Sequence, residues 1–182
     1  MKVLMAGPPA SGNKWLRNLM KKVTNVIEIH SLTGCEEQEN KCKFTDDGYY
    51  FAPHGQIILN SIPKDVKIFH LIRDGCNSCA SYIKGGQTPK DAAEMWNEFV
   101  KLIKKYPGPI YHYEDFVNDY DNTMRRFIEE SGLNCPVPEE PRTLDEVKAS
   151  EHNKWTDLTK EQQDIIYPII KESLKEMNYK NG

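Results

Sequence analysis

The chain has 182 residues, 38% of them hydrophobic and 28% charged, which is enough for one compact α/β domain over residues 1–182 and excludes a disordered polymer. The net charge of −3 argues against nucleic acid or an anionic membrane as the main partner, so an anionic ligand has to be held by a local site. Only Val3 to Ala6 separate Lys2 from Gly7-Pro8-Pro9, and no apolar run approaches the ~20 residues of a membrane span. No signal peptide and no span are therefore expected, and the chain is expected to stay soluble in the cytoplasm.

Residues 2–6 read as a short buried strand and residues 7–12 as a loop of small residues and proline. Residues 13–23 then read as a helix, with Trp15, Leu16, Leu19, Met20 and Val23 on one side. Residues 34–48 are polar and without periodicity, a surface loop or lid. Residues 49–53 read as a strand ending at His54. The clearest buried strand is Val66 to Ile72. It stops at Arg73-Asp74-Gly75, and a helix follows to about Lys84.

Residues 89–106 are helical, with Ala92, Met95, Trp96, Phe99, Val100 and Ile103 at helical spacing, and Pro107-Gly108 ends that helix. A strand over residues 110–113, a helix over 117–131 and an extended stretch from Cys135 to Pro141 come next. A last amphipathic helix spans 159–177, with Ile165, Ile166, Ile169, Ile170, Leu174 and Met177 inward and Pro168 at a possible kink. Alternating strands and helices predict a central parallel sheet flanked by helices. The cysteines are Cys35, Cys42, Cys76, Cys79 and Cys135, an odd number that reads as reduced thiols in a cytosolic chain. Cys76-x-x-Cys79 lacks the flanking residues of a redox motif, and Cys35 and Cys42 have poor zinc spacing.

Two segments carry chemistry. The first is Gly7-Pro8-Pro9-Ala10-Ser11-Gly12-Asn13-Lys14-Trp15. A loop of small residues between a strand and a helix exposes backbone N–H groups beside the positive end of the helix dipole, which makes an anion site. Gly7 and Gly12 have the spacing of a nucleotide-binding P-loop. Asn13, however, stands where that loop has lysine, and no hydroxyl is placed to hold Mg²⁺. This disfavours a P-loop kinase and favours a phosphate or phosphosulfate held without metal. The second segment is Arg73-Asp74-Gly75 with Ser81, at the end of the central strand, where parallel sheets bind ligands. An arginine there grips a phosphate in a bidentate way. Alone, the first segment also fits an ordinary βα turn, and the second an Arg73–Asp74 surface pair with Ser81 as a neutral helix residue.

Together the two segments resemble the sulfotransferase superfamily. Pro9-Ala10-Ser11-Gly12-Asn13-Lys14-Trp15 resembles its first motif. Arg73-Asp74-Gly75, with Ser81 at the same spacing, resembles its second. Tyr113-Glu114-Asp115 resembles the family's later Tyr-Glu-Asp. Lys154-Trp155, the last helix and Asn178-Tyr179 resemble its C-terminal part, so the likeness runs in order over nearly the whole chain. The resemblance implies a P-loop-like fold and transfer of a sulfuryl group from 3′-phosphoadenosine 5′-phosphosulfate to a hydroxyl or amine. The acceptor it implies is a small molecule or carbohydrate; no metal is needed, and 3′,5′-bisphosphoadenosine is the product.

The resemblance also implies roles. Ser11, Gly12, Asn13 and Lys14 cradle the phosphosulfate, and Trp15 stacks on the adenine. Arg73 and Ser81 hold the 3′-phosphate, and Tyr113 lines the adenosine pocket. Lys148 falls where the family places a basic pair before its late tryptophan, but Ala149 and Ser150 follow it. His54 matches the position of the family's catalytic histidine and is the expected base, with Glu114 as the alternative. Ala10 departs from the family, which has lysine or arginine there to neutralise the leaving oxygen. Lys14 is the nearest cation to take that role. The alternative reading is a non-catalytic module that binds the same bisphosphorylated nucleotide.

Overall fold

Five short strands form one parallel sheet in the computed structural model, which describes residues 2–8, 10–28, 48–51, 64–139 and 155–179. They are β1 (Lys2–Ala6), β2 (Val26–Glu28), β3 (Gly48–Phe51), β4 (Val66–Ile72) and β5 (Ile110–His112), in the spatial order β2-β3-β1-β4-β5. The helices are α1 (Asn13–Met20), α2 (Gly75–Lys84), α3 (Pro89–Lys105), α4 (Tyr113–Asn118), α5 (Tyr120–Ser131) and α6 (Lys160–Glu176), with a 3₁₀ turn at Trp155–Asp157.

A parallel sheet is covered on both faces, which is why its strands read as continuous apolar runs. Successive side chains still alternate between the two cores. Leu4, Ala6, Val66 and Ile72 pack with α2, α3 and α6, whereas Val3, Met5, Phe69 and Leu71 pack with α1, α4 and α5. Caps fix where helices begin. The Asp74 carboxylate accepts from the Asn77 amide at 2.9 Å to start α2, and Thr88 with Pro89 starts α3. A reciprocal Thr159/Gln162 capping box starts α6.

Several expectations shift. α1 stops at Met20 and gives way to turns. The helix expected over 117–131 is two: α4 begins at Tyr113, and Asp119 breaks the run with φ −148 and ψ 71. The short β2 had no expectation. Ile165 is 41% exposed rather than inward, while Ile166, Ile170, Leu174 and Met177 are buried. Residue 165 stands one position, about 100°, off the stripe those four define. Pro168 lies inside a continuous α6. Apart from Gly48, which opens β3, the 34–48 loop is outside the described residues.

The topology fixes where a ligand can sit. From β1 the chain leaves through α1 toward β2, and from β4 it leaves through α2 and α3 toward β5, on the other side and other face. β1 ends at Ala6, opposite His70, while β4 continues to Ile72. The carboxyl ends of β1 and β4 therefore flank the point where the strand order reverses, where open α/β sheets hold ligands. No helix among the described residues is long and apolar enough to cross a membrane.

Candidate functional site

The loop after β1 winds around one carbonyl. The Pro8 oxygen accepts from the Ser11 amide at 3.3 Å, the Ser11 hydroxyl at 2.6 Å and the Asn13 side-chain amide at 3.1 Å. Ser11 is 0% exposed and Asn13 is buried. These donors are engaged within the loop, so both side chains shape the cradle. The first internal bond of α1 runs from the Leu16 amide to the Gly12 carbonyl at 2.9 Å, and no side chain caps the helix. The amides of Asn13, Lys14 and Trp15 stand ahead of that bond at the positive end of the helix, a site for an anion.

Gly12 is dictated twice. Its φ of 87 is left-handed, and a Cβ there would lie 2.3 Å from the Tyr113 ring. Tyr113, at the start of α4, thus closes over the loop. Trp15 meets Tyr113, Phe116 and Tyr120 edge-on, with ring centroids 5.8, 6.0 and 6.2 Å away. It is half-buried, and its Nε1 is buried with no hydrogen-bond partner among the described residues. Trp15 and Tyr113 form an aromatic wall beside the helix start.

Arg73 faces this wall from the other strand end. It is only 8% exposed. Its Nη1 donates to the Ala10 carbonyl at 3.4 Å and to the Ser81 hydroxyl at 3.5 Å, and its guanidinium carbon lies 5.6 Å from the Tyr113 ring centre. The fold therefore brings Ala10, Gly12, Trp15, Arg73, Ser81 and Tyr113 into one cluster. The Arg73 carbonyl accepts from the Trp96 indole N–H at 3.4 Å, and the Asp74 amide donates to Glu114 Oε1 at 3.0 Å. A Cβ on Gly75 would lie 2.8 Å from the Trp96 ring, so the packing of Trp96 requires glycine here. The other Glu114 oxygen accepts from the Tyr179 hydroxyl at 3.0 Å. With both carboxylate oxygens engaged, Glu114 is built as a support. Sequence reasoning missed Trp96 and Tyr179 as parts of this site, because no local spacing signals a contact between distant segments.

The remaining candidates divide. Lys14 is exposed at the start of α1. His54 and Lys148, like His30 and His152, lie outside the described residues. His70 is buried, with Nε2 at 2.8 Å from the Tyr106 carbonyl, so it is a packed residue of the core. Cys76 and Cys79 are buried in the α2 core, and burial pushes the Cys76 thiol up to about 12 and Cys79 higher. Such thiols are poor nucleophiles and poor metal ligands. Burial also raises the Asp74 carboxyl above its usual range. Among the described residues no group of three or more His, Cys, Asp or Glu side chains is arranged to hold a metal ion.

No family model and no curated protein matches the chain. Among solved structures it is similar to the sulfotransferase domain of the olefin synthase from Synechococcus PCC 7002, with 11% identity and a TM-score of 0.69 over 100% of this chain and 95% of that one. It is also similar to mouse sulfotransferase SULT7A1 complexed with PAP, with 12% identity and a TM-score of 0.56 over 96% of this chain and 84% of that one. At these identities the likeness is one of fold, and the chain has a sulfotransferase-like α/β fold.

Proposed function

We propose that the chain is a sulfotransferase that takes its sulfuryl group from 3′-phosphoadenosine 5′-phosphosulfate and passes it to a hydroxyl or amine of a small molecule or carbohydrate. The observation that carries this reading is the buried Arg73 guanidinium beside Ser81 and the loop carbonyl of Ala10, across from an uncapped helix start. A cation sequestered in this way, in one cluster with a helix start and an aromatic wall, suits a ligand with two separate phosphates and a base. The PAP-bound sulfotransferase among the structural neighbours supports the same class of ligand.

When bound, the donor supplies an activated sulfuryl group on its 5′-phosphate. Arg73 and Ser81 are assigned the 3′-phosphate, Trp15 and Tyr113 the adenosine, and the amides of residues 12–15 the phosphosulfate. His54 is assigned the proton of the acceptor, since an imidazole suits proton abstraction near neutral pH. Lys14 and the helix amides are assigned the charge that grows on the leaving phosphate oxygen. Lys148 is assigned a minor part at the 3′-phosphate. Ala10 carries no charge at the place of the resembled motif's cation, which favours a second reading: a module that binds 3′,5′-bisphosphoadenosine without turnover.

The test is calorimetry with 3′,5′-bisphosphoadenosine and AMP in EDTA. The bisphosphate should bind far more tightly without Mg²⁺, and Arg73→Ala should remove about 1.5–3 kcal/mol of that preference. Equal affinity for the two nucleotides would overturn the assignment of Arg73. Turnover with a set of acceptors then separates the enzyme from the binding module.

A further inference from the structure

The peptide unit between Arg73 and Asp74 is held at both ends. Its carbonyl accepts from Trp96 Nε1 at 3.4 Å and from the Ser78 hydroxyl at 3.5 Å, and its N–H donates to Glu114 at 3.0 Å. The shortest of these bonds is the one to Glu114. The guanidinium at the far end of Arg73 makes longer contacts, 3.4 Å to Ala10 and 3.5 Å to Ser81. The peptide that follows its Cα sets ψ of Arg73, so holding that peptide fixes the direction in which the side chain leaves the strand.

Glu114 is in turn held by the C-terminal segment, through the Tyr179 hydroxyl on its second oxygen at 3.0 Å. The same segment reaches this turn a second time. The Trp155 amide donates to Asn77 Oδ1 at 3.0 Å, and the Asn77 amide donates to the Asp74 carboxylate at 2.9 Å. Residues 155–179 thus reach the β4–α2 turn at two points, directly at Asn77 and through Glu114 at Asp74.

We infer that Tyr179 and Glu114 are positioning residues that orient Arg73 toward a 3′-phosphate, so that the C-terminal segment determines selectivity between bisphosphorylated and monophosphorylated nucleotides. This rests on the assignment of Arg73 proposed above. Burial and the neighbouring carboxylate push the Tyr179 phenol well above its ordinary range, so it remains a hydrogen-bond donor at any working pH. Its ring is packed independently against His112, with centroids 4.9 Å apart. Removing the hydroxyl alone therefore tests the brace with the packing in place.

The experiment is calorimetry of the full chain with 3′,5′-bisphosphoadenosine and with AMP, alongside thermal melts. Tyr179→Phe should lower the affinity ratio between the two about three- to tenfold through the bisphosphate alone, less than the loss of a direct bond to a charged group. Glu114→Asp, with its carboxylate drawn back from both partners, should do the same, and it carries the test if Tyr179→Phe fails to fold. Glu114→Gln keeps an acceptor for the Asp74 amide and a polar partner for Tyr179, and should retain the ratio within about twofold. An unchanged ratio in both Tyr179→Phe and Glu114→Asp, or equal weakening of the two nucleotides, overturns the inference and leaves the assignment of Arg73 standing. A wild-type protein with no preference overturns that assignment and the inference with it.

Discussion

Ala10 holds a left-handed backbone, φ 61, in a residue with a Cβ, at a steric cost on the order of 1–2 kcal/mol. Its carbonyl is turned to Arg73, so the strain serves the cluster. The proposed transfer assigns the leaving oxygen to Lys14, because Ala10 carries no charge and a point charge on a flexible stem can reach an oxygen without fixed geometry. Lys14→Met should then depress turnover far more than bisphosphate affinity, and Ala10→Lys should restore part of the loss. Wild-type turnover in Lys14→Met would show that the amides suffice. Gly12→Ala meets both a left-handed φ, about 1–2 kcal/mol, and the Tyr113 ring, about 1–3 kcal/mol more. Denaturant unfolding of Gly12→Ala, Tyr113→Ala and the double variant should give strong non-additivity, since removing the ring cancels only the second cost. Additive losses would mean that the ring does not press on Gly12. The spacings Gly7–Gly12 and Arg73–Ser81 were legible because each lies within one strand–turn–helix unit. The Pro8 carbonyl as the hub of the loop and the seat of Tyr113 on Gly12 were not, because they exist only once the chain has folded back on itself.

At the scale of elements, β1 and β4 were read to the residue because their runs are mostly apolar and are followed by glycine or charge. β2 has three residues, too few for any periodicity to register. The break at Asp119 is a backbone event inside an otherwise regular pattern, which hydropathy does not record. The start of α6 is the clearest local signal, since Thr159 accepts from the Gln162 amide and the Gln162 side chain reaches back. The helix is also tied to α3 by the Asn97 side-chain amide on the Ile169 carbonyl at 2.7 Å, so it gains tertiary support that caps do not supply. Thr159→Ala should cost about 1 kcal/mol, seen as a lower denaturant midpoint with the slope unchanged. A loss below a few tenths would mean that packing on α3 alone sets where α6 begins.

At the scale of the whole molecule, two cores on opposite sheet faces meet at the strand ends that hold Arg73 and the loop. Strand order was not legible from hydropathy, because pairing between distant strands leaves no trace in either strand alone; the P-loop-like order came with the family resemblance. The same burial that makes the sheet stable also encloses a titratable imidazole. His70, on β4, is 1% exposed, edge-on to Phe99, with Nε2 on the Tyr106 carbonyl and Nδ1 buried without a partner among the described residues. A carbonyl accepts only, so Nε2 carries the proton of the neutral ring, and a second proton on Nδ1 would be a charge buried without an acceptor. Burial accordingly holds the His70 pKa below its ordinary value of about 6.5. The sign follows from proton counts. Above that value neither state binds the proton and stability is unaffected. As pH falls below it, the unfolded chain takes up a proton that the folded chain refuses, so stability declines by up to about 1.4 kcal/mol per pH unit. Urea unfolding from pH 7.5 to 5.5 should therefore show a falling limb that flattens in His70→Leu. That variant also removes the bond to the Tyr106 carbonyl, which lowers its curve by a constant amount. The readout is the difference in slope, because every other histidine contributes equally to both proteins. Parallel curves would mean that the folded protein accommodates a charged His70.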